Sequence, residues 1–279
     1  MTVRYLLLTI TALLLLVGIV SAQDLAASPP NTIRHIITPE DVLTIRELYD
    51  VKLSPDGKQI AFEVSEPNQP CEPRASNIWV VPTDGREPPR PLIPGLKSAD
   101  APSWSPDGHT LAFLSDRGDE EAVADSSRQI YLWREGEKKA LKFTNVPGGV
   151  DQYQWSPDGK MIAFIAYDQS TAEELAKKAV GDDAIVRPES SLKFARLWTV
   201  NLSDGKTVQV TKDDFEIVEL AWSPRGDELA LVVAPTPRNE DSYNLSLVII
   251  NRSTGEVTRT LTKNVVPITG VLRWSPVAG

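Results

Sequence analysis

Two histidines, His35 and His109, and one cysteine, Cys71, are all the imidazole and thiol chemistry in this chain of 279 residues. Acyl transfer through an activated serine needs a base beside the nucleophile, and in an α/β-hydrolase that serine sits in a G-x-S-x-G turn. No such pentapeptide occurs. His35 stands in the N-terminal tail. His109 follows an SPDG turn at the place that Lys58 and Lys160 hold in other copies, so it reads as an exposed strand-start residue. Cys71, in the Pro-rich stretch NQPCEPRAS, has no histidine or basic cluster beside it to lower its pKa, so it reads as an incidental loop cysteine. A single cysteine forms no internal disulfide. The acid pairs Glu120–Glu121, Asp182–Asp183 and Asp213–Asp214 lack the alternating spacing of a calcium loop and read as solvated surface. The Arg-Gly-Asp string in SDRGDEE has no adhesion context around it. Sequons of the form N-x-S begin at Asn201, Asn244 and Asn251, and matter only where a host glycosylates exported chains. No phosphate-cradling glycine loop, zinc-ligand spacing or basic aromatic patch is present. No catalytic residue, no cofactor and no metal site is assigned.

The formal net charge of −9 repels phosphate backbones, which argues against a nucleic-acid partner. At the N-terminus, MTVR, the apolar run Tyr5–Val20 and the small residues Val20–Ala22 have the order of a secretory signal peptide. The run is short for a membrane span and no basic stop-transfer cluster follows it. Residues 1–22 are therefore expected to be cleaved, residues 23–36 to be a linker, and the product to be exported to the periplasm or beyond the cell, with no membrane span left.

What positions any chemistry here is a repeat. WSPDG occurs at Trp104–Gly108 and Trp155–Gly159, with near copies LSPDG at Leu53–Gly57 and WSPRG at Trp222–Gly226. The Ser-Pro pairs begin at Ser54, Ser105, Ser156, Ser223 and Ser275, in steps of 51, 51, 67 and 52 residues, within the range of propeller blades. Ser, Pro, Asp and Gly in this order suit a type I turn: proline presets φ, the Ser or Asp oxygen binds nearby N–H groups, and glycine accepts positive φ. After each turn comes a short apolar strand (KQIAFEV, HTLAFLS, KMIAFIA, DELALVV). A second strand carrying large apolar residues and a weaker third follow. The Trp or Leu before the turn is expected to pack on the neighbouring unit, and the small Ala61, Ala112, Ala163 and Ala230 to let sheets approach closely.

The expected fold is all-β: a partial, open β-propeller of about four four-stranded blades plus one extra strand. The blades are placed at about 49–93, 99–144, 150–211 and 217–263, with the start of a fifth at 269–275. A short helix is expected within Ile37–Leu48, with Thr38 and Asp41 at its N-cap and Pro39 in its first position. The 67-residue step is assigned to an insertion in blade three, where TAEELAKKAV has a capping box from Thr171 to Glu174. The last copy, WSPVAG, loses its Asp and Gly. A fifth hairpin begun without a partner strand leaves an apolar edge. The chain is therefore expected to be the front of a longer protein, the alternative being that Gly270–Ser275 closes the ring.

ITPEDVLTIRELYDVKLSPDGKQIAFEVS and GGVDQYQWSPDGKMIAF resemble the N-terminal, non-catalytic propeller of exported prolyl oligopeptidase family serine peptidases, in the acylaminoacyl-peptidase and dipeptidyl-peptidase branches. The resemblance runs from about Ile37 to Ser275. It implies a propeller that caps a C-terminal hydrolase domain, absent here, and admits peptides while excluding folded proteins. The partners implied are peptide substrates and that hydrolase domain. The repeat also resembles Tol-system periplasmic propellers, which implies the alternative of a stand-alone module binding a protein or ligand. On either reading this chain by itself is not expected to be an enzyme.

Overall fold

Sixteen strands in the described residues make four sheets, each of four antiparallel strands in sequence order, and these are the four expected blades of an open propeller. A computed structural model of the chain describes residues 37–68, 74–94, 96, 98–116, 127–180, 192–265 and 272–275. The leader and linker, Cys71, His35, the Arg-Gly-Asp string and the acid pairs Glu120–Glu121 and Asp182–Asp183 lie outside them. The chain divides into two units, Met1–Leu43 and Thr44–Gly279, and every strand belongs to the second.

Blade one contains β1 (Glu47–Leu53), β2 (Gln59–Glu66), β3 (Ala75–Pro82) and β4 (Arg90–Pro91). Blade two contains β5 (Asp100–Trp104), β6 (Thr110–Ser115), β7 (Gln129–Arg134) and β8 (Leu141–Lys142). Blade three contains β9 (Val150–Trp155), β10 (Met161–Tyr167), β11 (Ala195–Asn201) and β12 (Thr207–Gln209). Blade four contains β13 (Glu216–Trp222), β14 (Glu228–Ala234), β15 (Leu245–Asn251) and β16 (Val257–Val265).

The repeated phrase is the turn between the first and second strand of each blade. In blade one the Gly57 N–H donates to the Ser54 carbonyl at 2.9 Å, and Gly57 has φ +71°. A side chain at that φ is strained, which is why glycine holds the place. The buried Ser54 hydroxyl donates to Asp56 Oδ1 at 2.7 Å and accepts the Gln59 N–H at 3.0 Å. Ser105–Asp107 and Ser156–Asp158 repeat this network. Blade four has Arg225 where the others have Asp, and the carboxylate comes from Asp227 instead, 3.0 Å from the Ser223 hydroxyl. In all four turns the serine hydroxyl holds the carboxylate below its usual range.

Strand parity then builds the joints between blades, because alternate residues face opposite neighbours. Ala61, Ile78 and Val80 of blade one meet Leu111 and Phe113 of blade two. Ala112, Leu114 and Ile130 meet Ile162 and Phe164 of blade three. Ala163, Ile165 and Leu197 meet Leu229 and Leu231 of blade four. The repeated alanine lies in every one of these joints, and its missing bulk brings the sheets together.

Two helices match expected positions. In the first unit, α1 spans Pro39–Leu43; the Thr38 N–H donates to Asp41 Oδ2 at 2.7 Å and the Asp41 N–H to Thr38 Oγ1 at 3.3 Å. It is shorter than Ile37–Leu48: Glu47 and Leu48 already belong to β1, and the β-branched Thr44 and Ile45 come between, residues that fit an extended chain better than a helix. In blade three, α2 spans Ala172–Ala179 between β10 and β11, capped reciprocally by Thr171 and Glu174. Of the expected extra strand, Leu272–Ser275 is described; it lies along the far side of blade four, where Leu272 and Trp274 pack on Ala221, Ala230 and Ile249.

Candidate functional site: the cavity between the first strands

Each first strand of a blade carries one extra residue against its partner, a bulge near its start. The shifts fall between Tyr49 and Lys52, between Asp100 and Ser103, at Asp151, and between Ile217 and Glu219. Asp50 (φ 47°) and Ala101 (φ 53°) adopt the left-handed conformation there. A bulge bends a strand and re-aims its side chains. Repeated once per blade, it curls the four first strands around a common cavity of about 410 Å³, lined from all four blades and by Arg273. A larger groove of about 510 Å³ lies between the outer strand of blade three and the β15–β16 hairpin, but it draws on two blades only.

The blades are fastened to each other on this wall by indoles. Trp104 Nε1 donates to the Lys52 carbonyl at 3.2 Å, Trp155 to Ser103 at 3.1 Å, Trp222 to Gln154 at 3.1 Å and Trp274 to Ala221 at 3.0 Å. Every acceptor is the residue just before the Trp or Leu of the preceding copy. Further bonds cross the joints: the Tyr153 hydroxyl donates to the Ala101 carbonyl at 2.6 Å, Gln152 Nε2 to the Val218 carbonyl at 3.0 Å, and the Leu272 N–H to Glu219 Oε1 at 2.8 Å. Burial pushes the Tyr153 hydroxyl well above the usual tyrosine range, so it remains a neutral donor.

One acidic residue stands three or four positions before the Trp or Leu in every described blade: Asp50, Asp100, Asp151 and Glu219. Their surroundings differ. Asp50 pairs with Lys52 at 3.5 Å. Asp100 is paired with Arg128, yet burial outweighs the guanidinium and raises its pKa. Glu219 is buried. Asp151 has neither hydrogen bond nor ion pair within the described residues. At the other end of the strands, just before the Trp or Leu, stand Lys52, Ser103, Gln154, Ala221 and Arg273. The cavity is thus acidic toward the strand starts and neutral to basic toward the SPDG turns.

The sequence singled out none of these residues; the recurring acid before each Trp was the available signal. The residues it did weigh lie elsewhere. His109 is exposed and its N–H donates to Asp107 Oδ1 at 3.0 Å within the turn. Asp213 and Asp214 are exposed, with Asp214 3.8 Å from Arg196. Asn201 and Asn251 sit in hairpin turns, their Oδ1 atoms accepting the N–H groups of Ser203 and Ser253, and Asn244 Nδ2 donates to Asp241 at 3.4 Å. The described residues contain no group of three or more His, Cys, Asp or Glu placed to hold a metal, and no helix long and apolar enough to cross a membrane.

Comparison with known proteins places this architecture. No protein-family model matches the chain. Dipeptidyl-peptidase 5 of Porphyromonas gingivalis is 30% identical over 250 residues, covering 81% of this chain and 35% of the relative. The protein named uncharacterized peptidase YuxL of Bacillus subtilis is 29% identical over 225 residues, covering 75% of this chain and 33% of the relative. The chain therefore spans about a third of the length of these relatives. In structure it is similar to the Pyrococcus horikoshii acylaminoacyl peptidase, with a TM-score of 0.56 at 12% identity over 81% of this chain and 34% of that one, a likeness of fold. By sequence kinship and blade architecture together, the chain is a β-propeller resembling those of prolyl oligopeptidase family serine peptidases.

Proposed function

We propose that this chain is the non-catalytic, substrate-screening propeller of an exported prolyl oligopeptidase-like serine peptidase, acting with a hydrolase domain that supplies the nucleophile and its base. The observation that carries this reading is the cavity lined from all four blades, in a chain whose relatives are named peptidases. A cavity of about 410 Å³ suits a small ligand or a short extended peptide. It has no room for a folded domain. The lack of a G-x-S-x-G turn in this sequence supports leaving bond cleavage to such a hydrolase domain. Export rests on the leader-like order of residues 1–22.

The test is recovery of the protein from its source cells with an antibody against this chain, followed by assays on chromogenic dipeptidyl and acylaminoacyl substrates and on a folded protein. The expected material cleaves the short substrates, spares the folded protein and is silenced by a serine-directed reagent. Material without reagent-sensitive peptidase activity that brings down a stoichiometric protein partner would sink the reading and favour a stand-alone binding propeller.

A further inference from the structure

Two charges on the cavity wall that lack an ion-pair partner among the described residues have opposite signs and different heights. Asp151, four residues before Trp155, is half-buried and has no partner within the described residues. Arg273, one residue before Trp274, is exposed, and its guanidinium donates to the Leu272 carbonyl and to no carboxylate among the described residues. Both face the same cavity. Their heights are comparable because Trp155 and Trp274 make the same indole bond to the preceding blade. Three residues of strand, the last of them the bulged Asp151, separate the two levels, about 7–10 Å at ~3.3 Å per residue. In blade one the corresponding acid and base neutralise each other through the Asp50–Lys52 pair. Among the described residues that line the cavity, Asp151 and Arg273 are the acid and base without a partner of opposite charge.

We propose that the channel binds short peptides as zwitterions, extended along its axis, with the α-ammonium group at Asp151 and the α-carboxylate at Arg273. An extended chain spans ~3.3–3.6 Å per residue, so termini about 7–10 Å apart belong to a peptide of two to three residues. The guanidinium offers a bidentate fork to the carboxylate, and Asp151 accepts charge-assisted bonds from the ammonium. This rests on the reading of the channel as a peptide passage and adds a length and a polarity to it.

The experiment is calorimetric titration of the purified full chain with triglycine, N-acetyl-triglycine, triglycinamide and the doubly blocked peptide. Triglycine is expected to bind at least about tenfold more tightly than either singly blocked form, the usual scale of losing one bond to a charged group. Asp151→Asn is expected to remove the preference for a free amino end and keep that for a free carboxylate; Arg273→Gln is expected to do the reverse. Equal binding of free and doubly blocked peptide, or no binding of triglycine, overturns the inference. The wild-type comparison decides even if a variant fails to fold. Lost preference beside intact serine peptidase activity in the native protein leaves the proposed function standing; intact preference without that activity does the opposite.

Discussion

Blade one and blade three are written with nearly the same phrase and part company at one residue, Leu53 against Trp155. Trp155 is 7% exposed, packs among Ala112, Leu114 and Ile162, and donates its indole proton to blade two. Leu53 is 60% exposed, and every residue of β1 is exposed, whereas β13 of blade four is almost wholly buried. The residue before the turn was expected to pack on a neighbouring unit in every copy. It does so where a preceding blade lies against it, and Leu53 has none within the described residues. Blade one manages that side with charge: the Arg46 guanidinium lies 5.9 Å from the Trp79 ring centroid and pairs with Glu66 at 3.1 Å. The turn is thus a local device and the residue before it a joint, and a joint is worth what lies on its other side.

The largest expected effect follows from this contrast. Trp155→Ala removes a buried indole and the bond it makes, and is expected to cost about 3–5 kcal/mol. Leu53→Ala removes a mostly solvated side chain and is expected to cost less than about 1 kcal/mol. Urea midpoints of the two variants read the difference directly. Equal losses would mean that Leu53 is covered in solution.

How much of this was legible beforehand depends on the range of the signal. Blade number, the hairpin turn, the alanine at each joint, the N-cap at Thr38 and the capping box at Thr171 are written in residues within a few positions of each other, and local chemistry fixes them. The bulges are not so written. Their acids shift by one place between blades, three residues ahead for Asp50 and Glu219 and four for Asp100 and Asp151, so no fixed phrase contains them. The channel arises only when four bent strands are set around one axis, which single-strand patterns do not encode. The exposure of Leu53 has the same origin: its neighbour is a matter of which blade stands beside it.

A smaller effect separates blade one from the others inside the sheet. Glu63 takes the place that Leu114, Ile165 and Val232 hold, facing the next blade. It accepts the Ser76 hydroxyl at 2.7 Å. Burial raises its pKa above the ordinary 4.5; the Ser76 bond opposes this, and the charges of Asp100 and Asp50 add to it. The folded state then holds a proton that the unfolded chain has released, so stability falls as pH rises from about 4.5 through the raised value, and the penalty persists above it. Glu63→Gln keeps an acceptor for Ser76 and removes the charge. It is expected to flatten this fall and to stabilise by up to about 1 kcal/mol at pH 8, with little change near pH 4. Asp100 and Glu216, also raised by burial, leave a residual slope. Urea unfolding across that pH range checks the sign, and a gain at pH 4 equal to that at pH 8 would rule the linkage out.

The smallest effect lies in the turn, where blades one and three should not differ at all. Ser54 and Ser156 are both buried, each donating to the turn carboxylate and accepting the N–H five residues on. All of these partners belong to the same turn, so the presence of a preceding blade is irrelevant. Ser54→Ala and Ser156→Ala are each expected to cost about 1 kcal/mol, the scale of one lost side-chain bond with a donor left unmet. If Ser54→Ala costs much less than Ser156→Ala, the whole of blade one is loosely held, and the exposure of Leu53 belongs to a frayed sheet. Equal costs place the difference between the blades at the joint alone, where a leucine stands in the position that holds a tryptophan in every later copy.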